Sequence, residues 1–264
     1  MGEGIAKLQV AVLGLGEAGS AFARDLLRVG VEVVGFDPVP EKTVSGLLRA
    51  QGEAEAAEGA SFILSVNWAR VAREVAERVA PVLRPGQVYA DLNTASPGLK
   101  CLLAEILAPT GAYFVDVALM SLVPGRGLAT PSLASGPGAW VYKGWLEPLG
   151  AAVEVVGEKP GEAALRKLLR SVFFKGMAAA VIEALEAARK LGLEAEIWDN
   201  IAKTLKEADE TLVGRLVEGS LRHAERRQEE MLAAAELLRE VGVEPLVTEA
   251  TARQLGRLTG LEPA

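Results

Sequence analysis

Hydrophobic residues in the first part of the chain form short β-branched and aliphatic runs, separated by longer stretches with helical spacing. This alternation is typical of β/α units that build a mostly parallel sheet. The runs predict strands at 8–13, 31–36, 61–66, 87–92, 112–119, 131–135 and 151–156. The intervening stretches predict helices at 20–28, 41–51 and 68–83, and another that opens at Ser96-Pro97.

The pattern changes at Glu158-Lys159-Pro160-Gly161, after which no run indicates a strand. Helical spacing covers 162–191, 195–206, 212–241 and 246–258. We therefore predict an α/β domain with a mostly parallel sheet at 1–159, followed by an all-α domain at 160–264. The helical half is rich in alanine and leucine, so we expect it to bury one face against a second copy in a homodimer.

A glycine-rich turn, 14–19, directly follows the first predicted strand and reads Gly14-Leu15-Gly16-Glu17-Ala18-Gly19. A helix and a second strand ending at Asp37 come next, which is the order of a dinucleotide-binding unit. We therefore predict that the α/β domain at 1–159 is a Rossmann-type dinucleotide-binding domain. Gly14 allows the tight turn, Gly16 lets the backbone approach a pyrophosphate, and Gly19 lets the helix pack closely. Asp37 is placed to accept a hydrogen bond from a ribose 2′-hydroxyl, which favours NAD over NADP. The alternative is a flavodoxin-like turn with chance glycines.

Composition narrows the classes of partner. The net charge of −7 argues against a nucleic-acid or anionic-membrane surface but allows a locally basic pocket for a small anionic substrate. With one His and one Cys, we expect no metal site. Cys101 lies in an apolar helical run, so we do not expect a reactive thiol. The start at 1–4 lacks a signal-peptide pattern and no run is long enough to span a membrane, so we expect a cytoplasmic protein.

Ligands of open α/β sheets bind at the carboxyl ends of the strands. Those ends carry small or amide side chains suited to hydrogen-bonding ribose, a carboxamide or a substrate: Ser65, Val66, Asn67, Asn93, Thr94, Met120 and Ser121. The alternative is that they are ordinary loop residues. Apart from Asp37 none is a good proton-transfer group, so we expect the base to come from the helical part.

The first helix of that part carries Lys167, Ser171 and Lys175 on one broad, otherwise apolar face, at about 100° per residue. Burial of a lysine disfavours its charged form and lowers its pKa, which is what a lysine base needs near neutral pH. In the alternative interpretation Lys167 and Lys175 extend their ammonium groups to the surface or pair with distant acids.

Four segments, at 12–19, 91–97, 114–122 and 161–167, carry a family resemblance. Together they resemble the 3-hydroxyisobutyrate and 6-phosphogluconate dehydrogenase superfamily, the β-hydroxyacid dehydrogenases, and in particular a little-characterised branch with a distinctive C-terminal helical domain. The resemblance covers essentially the whole chain. It implies that Lys167 is the general base and acid, that the Asn93-Thr94 segment lies beside the nicotinamide, and that Lys175 belongs to the substrate-facing wall. Glu183 also stands where the family has an acid.

The chain departs from the family pattern at its substrate side. Ser171 replaces an asparagine that holds the substrate, and Met120-Ser121-Leu122 replaces an S-G-G segment that helps bind its carboxylate. Asn93 replaces a serine, and Glu229-Glu230-Met231 stands in place of K-D-L. A basic segment at 222–227 instead resembles one in the less characterised branch, which implies that His223, Arg226 or Arg227 lies near the substrate's anionic tail. The alternative for His223 is an exposed helix residue without a role.

The sequence thus predicts an NAD(P)-dependent oxidoreductase acting on a small hydroxy acid or sugar acid, free or phosphorylated, with Lys167 as general acid/base and Ser171 orienting the hydroxyl. Two alternatives remain. An imine reductase on the same architecture does not require a lysine as proton donor. A non-catalytic NAD(P)-binding sensor would explain the altered substrate segments.

Overall fold

A computed structural model describes residues 8–260 of the chain. Its first unit ends at Leu169 and contains one eight-stranded sheet in the order β3-β2-β1-β4-β5-β6-β7-β8. All neighbouring strands are parallel except β6 and β7, which are antiparallel. The strands are β1 (Gln9–Leu13), β2 (Glu32–Phe36), β3 (Leu48–Arg49), β4 (Phe62–Ser65), β5 (Val88–Asp91), β6 (Tyr113–Leu119), β7 (Ser132–Ser135) and β8 (Val153–Gly157). The predicted Rossmann-type α/β fold is confirmed.

Helices cover both faces of this sheet. They are α1 (Glu17–Arg28), α2 (Glu53–Ala57), α3 (Ala69–Val79), α4 (Pro97–Leu107) and α5 (Ala139–Leu146). Because successive strand side chains point to opposite faces, β1 supplies both cores. Val10 and Val12 pack with residues of α1 and α5, whereas Ala11 and Leu13 pack with residues of α2, α3 and α4.

The predicted helix at 41–51 is wrong. These residues form turns and the two-residue strand β3, which pairs with Val34 and Gly35 of β2. Gly46 has a positive φ of 87°, a conformation that interrupts a helix. The side chain of Leu47 also fills the space above Gly35, where a Cβ would lie 2.5 Å from it. The chain is therefore held against the sheet edge.

The second unit begins at Arg170, inside the long helix α6 (Glu162–Lys190), whereas the sequence pattern places the boundary after residue 159. It continues with α7 (Glu194–Lys206), α8 (Thr211–Arg222), α9 (Ala224–Glu240) and α10 (Leu246–Leu258). The all-helical prediction is confirmed, but a single helix at 212–241 is wrong, because His223 leaves helical geometry between α8 and α9. Arg227 Nη1 donates to Ser220 Oγ at 2.7 Å and ties the two helices across this break.

Glu183 joins α6 to the start of α10. Its Oε1 accepts hydrogen bonds from the backbone N–H and the hydroxyl of Thr248, at 2.8 and 2.6 Å, and its Oε2 accepts from the N–H of Val247 at 2.8 Å. Burial raises the pKa of this carboxyl, but the hydrogen bonds from Thr248 and Val247 outweigh it and hold the pKa below its usual range. Glu183 therefore acts as the N-terminal cap of α10.

Among residues 8–260, no helix is both long enough and apolar enough to cross a membrane. The start at 1–4, on which the expectation about a signal peptide depends, lies outside the described residues.

Candidate active site

The glycine turn between β1 and α1 is held by close backbone packing. Gly14 has a φ of 100°, its N–H donates to Phe36 O at 2.8 Å, and a Cβ there would lie 2.3 Å from Val66 O. A Cβ on Gly19 would lie 1.8 Å from Gly14 O. The side chain of Leu15 is buried in the core, so Leu15 offers the turn only its backbone. Sequence and structure agree on why glycine is needed at positions 14 and 19.

Gly16 differs from these two glycines because its Cβ position is open. Outside its chain neighbours, no atom of the described residues comes within 4 Å of a Cβ built there. Gly16 is also the N-cap of α1, and no side chain in the described part of the chain caps that helix. The first N–H groups of a helix have no intrahelical partner and carry partial positive charge. The turn thus presents an open backbone surface suited to a phosphate.

Asp37, at the end of β2, fastens this turn. Its Oδ2 accepts from the N–H of Leu15 at 2.8 Å and its Oδ1 from the N–H of Val39 at 2.9 Å, while Lys42 Nζ lies 4.0 Å from Oδ2. A carboxylate has about four lone-pair sites, so Asp37 can still accept from a ribose hydroxyl. The nearby Lys42 cation reduces the repulsion of a 2′-phosphate, and the preference for NAD stays a prediction.

A cavity of about 1010 Å³ opens at the carboxyl ends of the central strands. Ten of the sequence-predicted site residues line it: Gly14, Gly16, Glu17, Ala18, Asp37, Val66, Asn67, Asn93, Thr94 and Lys167. Three others support it from behind: Leu15 and Gly19 pack beneath the turn, and Ser65 Oγ accepts from the amides of Asn67 and Asn93 at 2.9 and 3.3 Å. The cavity volume is at the upper end of what small-molecule sites show and fits a dinucleotide.

Three lining residues at the start of α3 and on its outer face were not predicted. Trp68 is 71% exposed, Arg70 places its guanidinium 5.4 Å from the centre of the Trp68 ring, and Arg78 pairs with Glu53 at 2.7 Å. Their position in the sequence is itself a signal, since Trp68 follows the predicted residues Ser65, Val66 and Asn67 directly. A flat aromatic side chain and two cations at this wall suit an adenine ring and phosphates.

Lys167 reaches the cavity from the first turns of α6, within the first unit. Its Nζ donates to Thr94 Oγ1 at 2.7 Å. Partial burial lowers the pKa of this lysine, the nearby Lys100 cation lowers it further, and Asp116 partly opposes the shift. A lysine with a lowered pKa at the cavity wall meets the requirement for a proton-transfer group.

An ionic cluster lies beneath Asn93 and Lys167, and its lysine was not predicted. Lys100 of α4 is fully buried, and its Nζ lies 2.6 Å from Asp91 Oδ2 and 3.0 Å from Asp116 Oδ1. Asp91 Oδ1 also accepts from the amide of Asn93, which fixes the amide orientation. Asn93 lines the cavity, and within the described residues its Oδ1 is buried without a hydrogen-bond partner.

The remaining predicted residues do not line this cavity. Met120 donates its N–H to Pro131 O at 2.8 Å, and Ser121 is exposed. Ser171, Lys175, His223 and Arg227 belong to the second unit. There Ser171 is half-buried, Lys175 and His223 are exposed, and Arg227 is engaged with Ser220. Their substrate roles stay predictions.

The fold and the glycine turn are those of a dinucleotide-binding protein, and comparison with known families narrows the class. Residues 9–120 match the NAD binding domain of 6-phosphogluconate dehydrogenase, and residues 188–258 match a domain of unknown function, DUF1932. The chain thus combines an NAD binding domain of the 6-phosphogluconate dehydrogenase type with a C-terminal DUF1932 domain, as the resemblance predicts. The predicted cofactor, NAD or NADP, is confirmed at this level.

Individual relatives and a solved structure are similar to the chain. An uncharacterized 28.5 kDa protein of Methanothermus fervidus is 26% identical over 249 residues, which cover 92% of this chain and 96% of the relative. The 2-(hydroxymethyl)glutarate dehydrogenase of Eubacterium barkeri is 27% identical over 208 residues, 74% of this chain and 68% of that enzyme. In fold, the chain is similar to a Streptomyces aurantiacus imine reductase, with a TM-score of 0.80, 20% identity, and coverage of 94% of this chain and 93% of that one.

Proposed function

We propose that the protein is an NAD(P)-dependent dehydrogenase of a small hydroxy acid or sugar acid, free or phosphorylated, in which Lys167 is the general acid/base. The observation that carries the proposal is the position of Lys167. It lines the same cavity as Gly14, Gly16 and Asp37, and it donates to Thr94 at 2.7 Å. The hydroxy-acid dehydrogenase of Eubacterium barkeri supports the substrate class.

The residues of this chain divide the work in a simple way. The glycine turn and Asp37 would hold the cofactor, and Asn93 lines the same cavity. A bound nicotinamide accepts or supplies the hydride. Neutral Lys167 removes the substrate's hydroxyl proton during oxidation and, as an ammonium, returns it during reduction. Thr94 Oγ1 holds the Lys167 nitrogen in place before substrate arrives.

The direction of the reaction fixes the sign of its pH dependence. Oxidation requires neutral Lys167, so its rate rises as pH rises through the Lys167 pKa. Reduction requires the ammonium, so its rate falls over the same range. Because burial, with the nearby Lys100 cation, lowers this pKa from its ordinary value of 10.5, both changes occur at lower pH than for a solvated lysine.

On the substrate side the proposal rests on the family resemblance. It assigns Ser171 to orienting the hydroxyl and Met120, Ser121 and Lys175 to the wall that holds the acid group. The resemblance assigns His223 and Arg227 to the anionic tail of the substrate.

We further propose that the enzyme works as a homodimer in the cytoplasm, without nucleic-acid or membrane partners. The exposed apolar side chains of α7 and α8 support the homodimer, and the net charge of −7 argues against nucleic-acid and membrane partners.

The test is a screen of hydroxy acids and sugar acids with NAD and NADP, followed by nicotinamide absorbance, on wild type and Lys167→Ala. We expect turnover on one substrate class, tighter binding of NADH than NADPH, and a loss of about 10²–10⁴-fold in kcat in Lys167→Ala with cofactor affinity unchanged. Lys190→Ala, which removes an exposed lysine at the far end of α6, is the matched control. Turnover by Lys167→Ala close to wild type would sink the assignment.

An imine reductase is the second candidate, because the fold is similar to that of the Streptomyces aurantiacus enzyme. Adding cyclic imines to the same screen separates the two. Activity on imines, with none on hydroxy acids, selects the reductase. A non-catalytic sensor is the remaining alternative, and it predicts tight cofactor binding with no turnover on any substrate tested.

A further inference from the structure

Lys100 is a fully buried lysine that the proposed mechanism does not use. It lies on α4, and its Nζ donates to Asp91 Oδ2 at 2.6 Å and to Asp91 O at 2.7 Å, while Asp116 Oδ1 lies 3.0 Å away. A buried ammonium costs several kcal/mol in lost hydration unless it is paired and hydrogen-bonded. Lys100 meets this condition through partners on two adjacent strands, since β5 ends at Asp91 and β6 contains Asp116.

Each carboxylate of the cluster also holds a part of the candidate active site. On one side, Asp91 Oδ1 accepts from the amide of Asn93, a residue that lines the cavity. On the other side, Asp116 Oδ2 accepts from the N–H groups of Gly161 and Ala164 at 3.2 and 2.9 Å.

Gly161 and Ala164 lie at the start of α6, and Lys167 follows one helical turn after Ala164. Ser135 Oγ reinforces the contact by donating to Asp116 Oδ2 at 3.3 Å and accepting from the N–H of Ala163 at 3.0 Å. Lys100 thus joins, through two carboxylates, Asn93 and the helix start that carries Lys167.

Both carboxyl groups are surrounded by donors. The two oxygens of Asp91 accept from Lys100 and Asn93, and those of Asp116 face Lys100 and three further donors, Ser135, Gly161 and Ala164. The cluster therefore places a lysine and two aspartates within the wall that supports Lys167.

We propose that Lys100 is a positioning residue of the reaction: through Asp91 and Asp116 it fixes Asn93 and the start of α6, and thereby sets both the place and the electrostatic surroundings of Lys167. The proposal rests on the proposed role of Lys167 as general acid/base. Lys100 itself touches neither the cavity nor Thr94.

The charges of the cluster make opposite contributions at Lys167. After burial, the cation of Lys100 is the next cause that lowers the Lys167 pKa, and the Asp116 carboxylate raises it. The charged neighbours on α6 itself are engaged elsewhere, because Glu162 accepts from the N–H of Lys159 and Arg166 donates to Glu162 O. Glu17 and Asp37 face the same cavity from the glycine-turn side. Removing Lys100 or Asp116 therefore shifts the pKa of Lys167 in opposite directions.

The experiment measures the Lys167 pKa directly, by competitive labelling of the whole chain with acetic anhydride as a function of pH and mass spectrometry of the Lys167 peptide. The variants are Lys100→Met, which removes the cation, and Asp116→Asn, whose amide oxygen still accepts from Gly161 and Ala164. Lys143→Met and Asp25→Asn are the matched controls. Lys143 of α5 pairs with Glu147, which directly follows that helix, and Asp25 accepts from the N–H of Leu128; both lie outside the cluster.

We expect Lys100→Met to raise the pKa of Lys167, Asp116→Asn to lower it, and both controls to leave it unchanged. We also expect kcat of Lys100→Met to fall by about 10²-fold with KM little changed, the loss typical of a misplaced catalytic group. Lys100→Arg, which keeps a cation between the carboxylates, should restore much of the wild-type pKa. If Lys100→Met fails to fold, Asp116→Asn and Lys100→Arg still carry the test.

Shifts of the Lys167 pKa in the same direction for the two variants, or no shift in either, would overturn the role of Lys100. The labelling experiment needs no turnover, so it stays separate from the proposed function. Opposite shifts of the Lys167 pKa in a protein without dehydrogenase activity would support the role of Lys100 and contradict the proposed reaction. An unchanged Lys167 pKa in both variants, together with a loss of turnover in Lys167→Ala, would support the reaction and contradict the role of Lys100.

Discussion

At the scale of single residues, Gly16 and Gly19 lie in the same turn but have different expected roles: Gly16 in cofactor binding and Gly19 in folding. A Cβ on Gly19 would lie 1.8 Å from Gly14 O, whereas a Cβ on Gly16 would meet open space. We expect Gly19→Ala to destabilise the protein by about 1–3 kcal/mol or more, as overpacking does. Gly16→Ala should fold normally and bind NADH more weakly, because its methyl group would occupy the open surface where the pyrophosphate is expected. The expected loss of affinity is about tenfold or more, which corresponds to about 1.4 kcal/mol. The measurements are urea unfolding and NADH fluorescence titration.

Each glycine variant is the control of the other. Equal losses of stability in the two variants would show that the turn acts only as a packing motif. Unchanged NADH affinity in Gly16→Ala would place the pyrophosphate elsewhere.

The candidate site could be predicted from the sequence where a local rule applied. The strand-end rule located Val66, Asn67, Asn93 and Thr94, and all four line the cavity. Lys100 was missed because its partners, Asp91 and Asp116, lie on the two strands that flank its helix, a contact that helical spacing alone does not reveal. An isolated lysine in an apolar helix is also compatible with exposure at the surface. The helical register of Lys100 is nevertheless a signal of its burial.

Lys100, Leu103 and Leu107 follow the i, i+3, i+7 spacing of a buried helix face, and all three are buried. A lysine at such a position requires an acidic partner. Asp91 and Asp116 occupy adjacent predicted strands, so helical register and strand order together are sufficient to group the two aspartates with Lys100.

At the scale of elements, the strands and most helices followed from periodicity, because each of the seven predicted strands is an apolar run between turn residues. The errors occurred where tertiary contacts decide the conformation. Residues 41–51 pair with the edge of the sheet through β3 instead of forming a helix. At the break at His223, Arg227 contacts Ser220, and hydrophobic spacing does not encode such a polar contact.

The cap of α10 by Glu183 leads to a prediction at this scale. Three hydrogen bonds to one buried carboxylate stabilise the start of the helix, and bonds to charged groups contribute about 1.5–3 kcal/mol. We expect Glu183→Gln to lower the free energy of unfolding by about this amount at neutral pH, measured by urea unfolding. Glu186→Gln, an exposed position on the same helix, is the control.

The lowered pKa of Glu183 adds a dependence on pH. Because the folded-state pKa lies below the unfolded value of about 4.3, the stabilisation is fully present above that value. It is lost as pH falls through the folded pKa. Glu183→Gln should lack this acid-sensitive component. A variant whose stability declines with acid as steeply as wild type would contradict the role of the charge.

At the scale of the whole molecule, the second unit leaves much apolar surface uncovered. Neither α7 nor α8, both fully described by the structure, buries a single residue. Large apolar side chains on them are exposed, including Trp198 at 59%, Val213 at 66% and Leu216 at 51%. Large exposed apolar surfaces often mark interaction sites, and symmetric dimers are the commonest oligomers of soluble proteins. These helices therefore favour the proposed homodimer.

We expect the wild-type protein to elute as a dimer at micromolar concentration, measured by size-exclusion chromatography with light scattering. A stable interface buries about 1,200–2,000 Å² in total, and a charge placed in its centre is strongly disfavoured. Leu216→Glu should therefore shift the equilibrium toward monomer by about tenfold or more in the dissociation constant. Val29→Glu, at a similarly exposed valine after α1 in the first unit, should leave the dimer intact. A wild-type monomer, or a dimer equally weakened by both substitutions, would show that α7 and α8 do not form the interface.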